Sequence, residues 1–253
     1  MVEVEWGRLR AHELRALAER EAVVIVPVGS LEQHGPHLPT FTDTLLVSEV
    51  AIRAARLAYE RQPVLVTPCV WTGLSEHHMI FGGTVTLDYA TFAALLRGIV
   101  GSLVQHGFER ICLLNGHGGN VAALRTITEE LTLEFDVPIV SGTYWHIAGE
   151  RVNALLETQD TIRHACEAET SMVMALAPER VDRDKLADAD HDDDNARSPS
   201  DPLYRWSDFA ERTPTGALGT PSAATPEKGE RLLAEAAAVL ADRLADAGLW
   251  TTD

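Results

Sequence analysis

Four short runs of almost unbroken apolar, largely β-branched residues constrain the architecture most: "AVVIVPV" at 22–28, "PVLVTPCV" at 63–70, "RICLLNG" at 110–116 and "VPIVSGTY" at 137–144. A strand with one face in water alternates apolar and polar side chains, whereas a strand covered on both faces reads as a continuous apolar run. Between the runs lie stretches of helical periodicity at 44–60, 89–106 and 120–134. In the second of these, Tyr89, Phe92, Leu95, Leu96, Ile99 and Leu103 fall on a helical period, and Asp88 is placed to cap the start. Strand and helix in alternation predict an α/β fold with a mostly parallel central sheet flanked by helices. Ligands of such sheets gather beyond the carboxyl ends of the strands.

The last third reads differently. A helix is expected over 158–176 around "AETSMVMALA", with Glu167 as a solvated residue on it. Residues 181–203 form an acidic, polar excursion, and its triplet Asp192, Asp193 and Asp194 reads as a surface run. A long C-terminal helix follows, capped by Thr225 with Pro226 in its first turn. Leu232, Leu233, Ala236, Leu240 and Leu244 make one face, and Gly248 ends it. No repeat and no clean linker interrupts the chain, so residues 1–253 are expected to form a single domain.

Charge excludes some partners. Acidic residues number 38 against 21 Lys and Arg, a formal net charge of -17, which disfavours a surface for DNA or RNA phosphates. No apolar stretch is long enough to span a bilayer, so no membrane partner is expected. Cys69, Cys112 and Cys166 are widely spaced, with neither a pair motif nor zinc-ribbon spacing. That pattern, and an acidic N-terminus without a secretory signal, point to a cytoplasmic setting.

The ionisable residues are concentrated where the strands should end. "GSLEQHGPHLPTFTDT" at 29–44 follows the first run directly and carries Glu32, His34, His37 and Asp43. Its prolines and glycines impose a fixed, non-helical path, and a metal site exploits ligands that are held still. Carboxylate and imidazole together suit Zn²⁺, Mn²⁺ or Fe²⁺. His117 emerges from the third run in "LLNGHGGN", with glycines at 116, 118 and 119 clearing space around it. A histidine merely packed in a core would not need that setting. In "RHACEAETSMVMAL", Glu169 stands before an apolar helical run, where a carboxylate is buried only if paired or metal-bound, and His164 precedes it. His77 and His78 lie in a loop expected to cover a site, and Trp145 follows the fourth strand. There is no nucleophile elbow, since Ser30 in "VGSLE" lacks the second glycine, and nothing fixes a geometry for Cys166 with His164. Phosphate-loop and dinucleotide fingerprints are also absent.

Taken in order, "VPVGSLEQHGPHLPTFTDT", "GGTVTLD", "LLNGHGGN", "HACEAETSMVMALAPERV" and "RTPTGALGTPSAATPEKGE" resemble the creatininase family over about residues 20–248. The resemblance implies two divalent metal ions, Zn²⁺ and/or Mn²⁺, and hydrolysis of a C–N bond in a small amide or cyclic amide by water held between them. It also implies a homo-oligomer, commonly a hexamer. On this pattern Glu32 and His117 would hold one metal, His34 the other, and Asp43 would bridge them. His164 would handle the leaving-group proton, with His37 and His78 in reserve, and Trp145 would pack on the substrate. The sequence also departs from the creatinine-hydrolysing enzyme. A second-metal glutamate is replaced by Gly119, a neighbouring aromatic by Gly118, and a second wall tryptophan is absent, with Asp160 near its place. Glu169 is then the candidate to complete the second metal. Gly118, Gly119, His78, Asp160 and Trp145 are the expected substrate contacts. Within the same family, a peptidase of mycofactocin maturation and a formamide hydrolase are the alternatives, the latter served only by Arg163 and Arg205 as phosphate partners. A metal-stabilised scaffold protein is the non-enzymatic alternative.

Overall fold

The computed structural model describes residues 2–193 and 203–251. Four parallel strands, β1 (Val23–Val28), β2 (Val64–Val66), β3 (Arg110–Asn115) and β4 (Ile139–Thr143), form one sheet in the order β2-β1-β3-β4. Registers such as Ile25 with Cys112 and Cys112 with Val140 set the C-terminal ends of β1, β3 and β4 level with one another. The helices are α1 (Ala11–Ala18), α2 (Thr42–Ala58), α3 (Tyr89–Gln105), α4 (Val121–Phe135), α5 (Tyr144–Asn153), α6 (Glu167–Leu176), α7 (Leu186–Ala189) and α8 (Pro226–Leu244).

The uniform apolarity of the strands follows from two cores, one on each side of the sheet. Val23, Ile25, Val64, Cys112 and Leu114 face one core, which they share with α2, α5, α6 and α8. Val24, Val26, Leu65, Ile111 and Leu113 face the other, shared with α1, α3 and α4. Every residue of β1 is buried, as a strand covered on both faces requires. Local signals act as the sequence predicts. The Asp88 side chain accepts the Thr91 N–H at the start of α3, and Thr225 accepts from Lys228 at the start of α8.

Four expectations are corrected. β2 stops at Val66 rather than running to residue 70, because Pro68 has no N–H to donate and pairing resumes only as an isolated bridge from Val28 to Val70. The helix expected from 158 begins at Glu167, since Ala165 adopts a left-handed φ of 53° that no helix accepts. α8 ends at Leu244, and Gly248 sits in a separate short turn. Glu167, expected in solvent, is fully buried. Its carboxylate accepts the backbone N–H groups of Glu157 (3.0 Å) and Thr158 (3.1 Å) and the Thr158 hydroxyl (2.6 Å). Lys228, 6 % exposed on α8, donates its ammonium to Glu167 and to Ala223 O. The backbone N–H groups of the 157–158 turn are thus satisfied by a side chain at the head of α6. In the acidic excursion, Asp193 pairs with Arg212 at 2.5 Å, while Asp194 lies outside the described residues. No helix among the described residues is long and apolar enough to cross a membrane.

The Glu167–Lys228 pair joins α6, α8 and the 157–158 turn in one buried contact. Lys228→Met should therefore cost about 3–5 kcal/mol by stranding the Glu167 charge. Equilibrium urea unfolding checks this. The double variant Lys228→Met/Glu167→Gln should recover part of the loss, and equal stability of Lys228→Met and the unsubstituted protein would exclude an energetic role.

Candidate metal centre and catalytic cleft

Beyond the C-terminal ends of β1 and β3 the chain delivers three carboxylates and a set of imidazoles to one buried spot. Glu32 and His34 come from the loop after β1, Asp43 from the first turn of α2, and His117 from the loop after β3. Glu169 comes from the first turn of α6, and all five residues are buried. Two groups form around a shared Asp43: Glu32, Asp43 and His117, and His34, Asp43 and Glu169, with the ligand atoms of each within 4.8 Å of one another.

Both imidazoles are set in the same way. His117 turns Nε2 toward the Leu74 carbonyl (3.1 Å) and Nδ1 toward Glu32 Oε2 and Asp43 Oδ2, both at 3.1 Å. His34 turns Nδ1 toward the Glu32 carbonyl (3.1 Å) and Nε2 toward Asp43 Oδ1 (3.1 Å), with Glu169 Oε2 at 3.9 Å. A backbone carbonyl behind each ring fixes the nitrogen that faces the carboxylates, the arrangement found behind metal-ligating histidines. Ser30 supports the cluster from behind, donating to Glu32 Oε2 at 2.8 Å and meeting Ser75 at 2.6 Å. Among the described residues, Glu32 Oε1 and Asp43 Oδ2 are buried without a hydrogen-bond partner. Buried acceptors without donors, in a mixed carboxylate and imidazole set, fit two divalent cations of the Zn²⁺ or Mn²⁺ type.

Without metal, protons hold this charge in balance. Burial pushes the Glu169 carboxyl up to about 8, Asp43 adding to the effect and His34 opposing it. Burial alone would strip the proton from His34, but Asp43, Glu169 and Glu32 outweigh it and raise the ring to about 10. His117 is likewise desolvated and yet held well above its ordinary value by Glu32 and Asp43. Burial would raise Glu32 too, but the facing His117, His78 and His164 hold it well below the usual carboxylate range.

A cleft of about 1300 Å³ opens over the cluster. His77, His78, Gly118, Gly119, Trp145, Arg163, His164, Tyr204, Arg205, Trp206 and Phe209 are among its lining residues, together with Glu32, Asp43, His117 and Glu169. His164 sits over the cluster with Nδ1 at 3.5 Å from Glu32 Oε1. Burial, with His34 and His78 nearby, pushes its ring well below the ordinary value, so it is neutral at physiological pH. The structure does not bring two of the candidates here. Asp160 is exposed and lies outside the lining residues, and His37 is buried with Nε2 directed at Thr170 Oγ1 (2.9 Å). The two glycines differ in kind. A Cβ on Gly118 would meet nothing within 4 Å, whereas one on Gly119 would lie 2.2 Å from Leu74 O. No side chain fits at 119, so a carboxylate for the second group must come from elsewhere, and Glu169 on α6 faces it. Gln33, Ser75 and Phe209 went unselected in the sequence. Gln33 stands between two singled-out residues, but Phe209 carries no local signal, since only the fold lays it against His78 and His164 at ring distances of 4.4 and 4.9 Å.

Comparison with known proteins agrees with this geometry. The family model described as creatininase, creatinine amidohydrolase, matches residues 7–244. The chain belongs to the creatininase family. It is 33 % identical to the mycofactocin precursor peptide peptidase of Mycolicibacterium smegmatis, over 91 % of this chain and 87 % of that one. It is 30 % identical to the creatinine amidohydrolase of Pseudomonas putida, over 96 % of this chain and 94 % of the other. A solved structure described as manganese creatininase superposes with a TM-score of 0.79 at 30 % identity, covering 95 % of this chain and 97 % of its own. Among the similar solved structures is also one described as a Zn-Zn type creatininase mutant, and the two buried ligand groups here fit two divalent ions.

Because His34, His117 and Glu169 bind protons more tightly than usual in the metal-free protein, metal must displace those protons. Apparent metal affinity should rise with pH, most steeply below about 8, where Glu169, His34 and His117 all carry protons, and less steeply above it. Titration calorimetry with Zn²⁺ near neutral pH, in buffers of different ionisation enthalpy, should show net proton release. Heats independent of the buffer would contradict it.

Proposed function

We propose that the chain is a metal-dependent amidohydrolase that cleaves the C–N bond of a small amide or cyclic amide. The observation that carries the proposal is the pair of carboxylate–imidazole groups sharing Asp43 at the floor of an open cleft. A metal-stabilised scaffold would close its coordination shell, whereas Gly118 here leaves space beside His117. Glu32, Asp43 and His117 would hold one ion, and His34, Asp43 and Glu169 the other. Two divalent ions bound there would supply Lewis acidity, lowering the pKa of a coordinated water and polarising a carbonyl oxygen.

The chain's own residues supply the rest. Asp43 keeps the two positions together. His164, neutral and lining the cleft, is placed to take up a proton and then deliver it to an amine leaving group. Trp145, half-buried in the wall, offers a flat face to the substrate, and His78 and the backbone at Gly118 and Gly119 border the same space. The relatives' names support amide chemistry in both of their forms, a creatinine amidohydrolase and a peptidase. One observation favours a second reading. A cleft of about 1300 Å³ exceeds the roughly 300–1,000 Å³ usual for small-ligand pockets, so a peptide terminus would also enter. The protein is proposed to work in the cytoplasm as a homohexamer, for which light scattering reads the mass.

Asp43→Ala should empty both metal positions, and His117→Ala should lose one. His164→Ala should keep two metals by elemental analysis while turnover falls about 10²–10⁴-fold. Near-full turnover by metal-loaded His164→Ala would remove that residue from the reaction.

Mn²⁺- or Zn²⁺-loaded protein should hydrolyse members of a panel of creatinine, small lactams and formamides, read by mass spectrometry beside a mycofactocin precursor peptide. Cleavage of the peptide alone would replace the first reading by the second.

A further inference from the structure

Gln33 contributes no atom to either carboxylate–imidazole group, yet the residue is only 7 % exposed and both polar atoms of its side chain are engaged. Oε1 accepts the Gly35 N–H at 2.9 Å, and Nε2 donates to the Gly216 carbonyl at 3.0 Å. A backbone N–H can only donate and a carbonyl can only accept, so the amide can sit only one way round. Gly216 reinforces the seat. Its φ is 79°, and a Cβ there would lie 2.1 Å from Gln33 Oε1, so the glutamine packs flat against a glycine.

With the amide fixed, His78 follows, and the Gln33 backbone carbonyl settles His164. His78 Nδ1 lies 2.8 Å from Gln33 Nε2, which has only hydrogens to offer, so this ring nitrogen accepts. The proton of His78 then resides on Nε2, which faces Glu32 Oε1 at 3.3 Å. His164 Nε2 lies 2.9 Å from the Gln33 backbone oxygen, which has only lone pairs, so this nitrogen donates. Its 3.2 Å approach to Gln33 Nε2 is a contact between two donors and not a hydrogen bond. Neutral His164 therefore carries its lone pair on Nδ1, the nitrogen that looks toward Glu32 Oε1. The two rings lie face to face at 4.4 Å and 28°, and Phe209 closes against both, so neither ring can turn without displacing its neighbours.

We propose that Gln33 is a positioning residue that sets the tautomers of both cleft histidines, His78 with its proton on Nε2, the nitrogen facing Glu32, and His164 with a bare Nδ1 over the carboxylate–imidazole cluster. One residue thereby gives two chemically identical side chains opposite roles: its side-chain amide leaves His78 an N–H turned toward a carboxylate, and its backbone carbonyl leaves His164 a vacant lone pair toward the cleft. Gln33 acts through these rings and touches no reacting atom.

Neutron diffraction from crystals of the Zn²⁺-loaded protein, exchanged into D₂O at mildly alkaline pD, reads the assignment directly and needs no substrate. A deuteron on His164 Nε2 and none on His78 Nδ1 is the expected result. A bare His164 Nε2, or a deuteron on His78 Nδ1, overturns the proposal. The catalytic consequence rests on the hydrolase function proposed above and is read separately. Gln33→Met keeps the side-chain length and removes the amide. It should retain two metals and lose about 10–100-fold in kcat with a smaller change in KM. Unchanged kcat in the metal-loaded variant, or loss of metal together with activity, would overturn the positioning role. If no amide is turned over at all, the hydrolase reading fails while the neutron result still decides the tautomers.

Discussion

Three carboxylates, from Glu32, Asp43 and Glu169, are buried against two imidazoles around one shared aspartate, and this crowding governs the rest of the molecule. Like charges brought together out of water repel, and burial further penalises the ionised forms. Positive charge must therefore enter the cluster, either as protons on His34 and His117 or as divalent cations in their place. A fold carrying such a site cannot rely on the cluster to hold itself together. The stability has to come from elsewhere, and two full cores on opposite faces of a parallel sheet supply it.

The outer supports have the same logic. The rear nitrogens of His34 and His117 face backbone carbonyls, and Ser30 braces Glu32. The start of α6 is held by a second buried charge pair, Glu167 with Lys228, two residues from Glu169. That anchor matters because Glu169 faces the side of the cluster that position 119 cannot serve. With Leu74 O pressed against Gly119, that position has no room for a side chain, and the carboxylate comes from a helix instead. The cleft above is left wide, and its chemistry is set by the ring nitrogens that Gln33 orients.

Much of the scaffold was legible because its causes are local. Doubly covered strands must be apolar throughout, Asp88 and Thr225 cap helices through their nearest backbone N–H groups, and the loop after β1 carries its own ionisable cluster. The residues that cluster, Glu32, His34, Asp43, His117 and Glu169, could be singled out because ionisable side chains beside apolar runs need a reason to be there. Errors arose where a residue's surroundings come from distant chain. Glu167 looks solvated in a helical pattern until Lys228, 61 residues away, arrives to neutralise it. His37 and Asp160 carry plausible chemistry, but one turns toward Thr170 and the other stays at the surface.

The sequence by itself determined the order of strands along the chain, the apolar faces, the capped starts of α3 and α8 and the inventory of ligand chemistry, because each depends on residue type and short spacing. Only the tertiary structure decided which ends meet. It brought α6 to the mouth of β1 and β3, and laid Phe209 over His78 and His164. It seated Gln33 so that its amide has one orientation. The physical reason is range. Propensity and capping act within a few residues, while charge balance in a buried cluster and the direction of a proton on an imidazole depend on groups that adjoin only after the chain has packed.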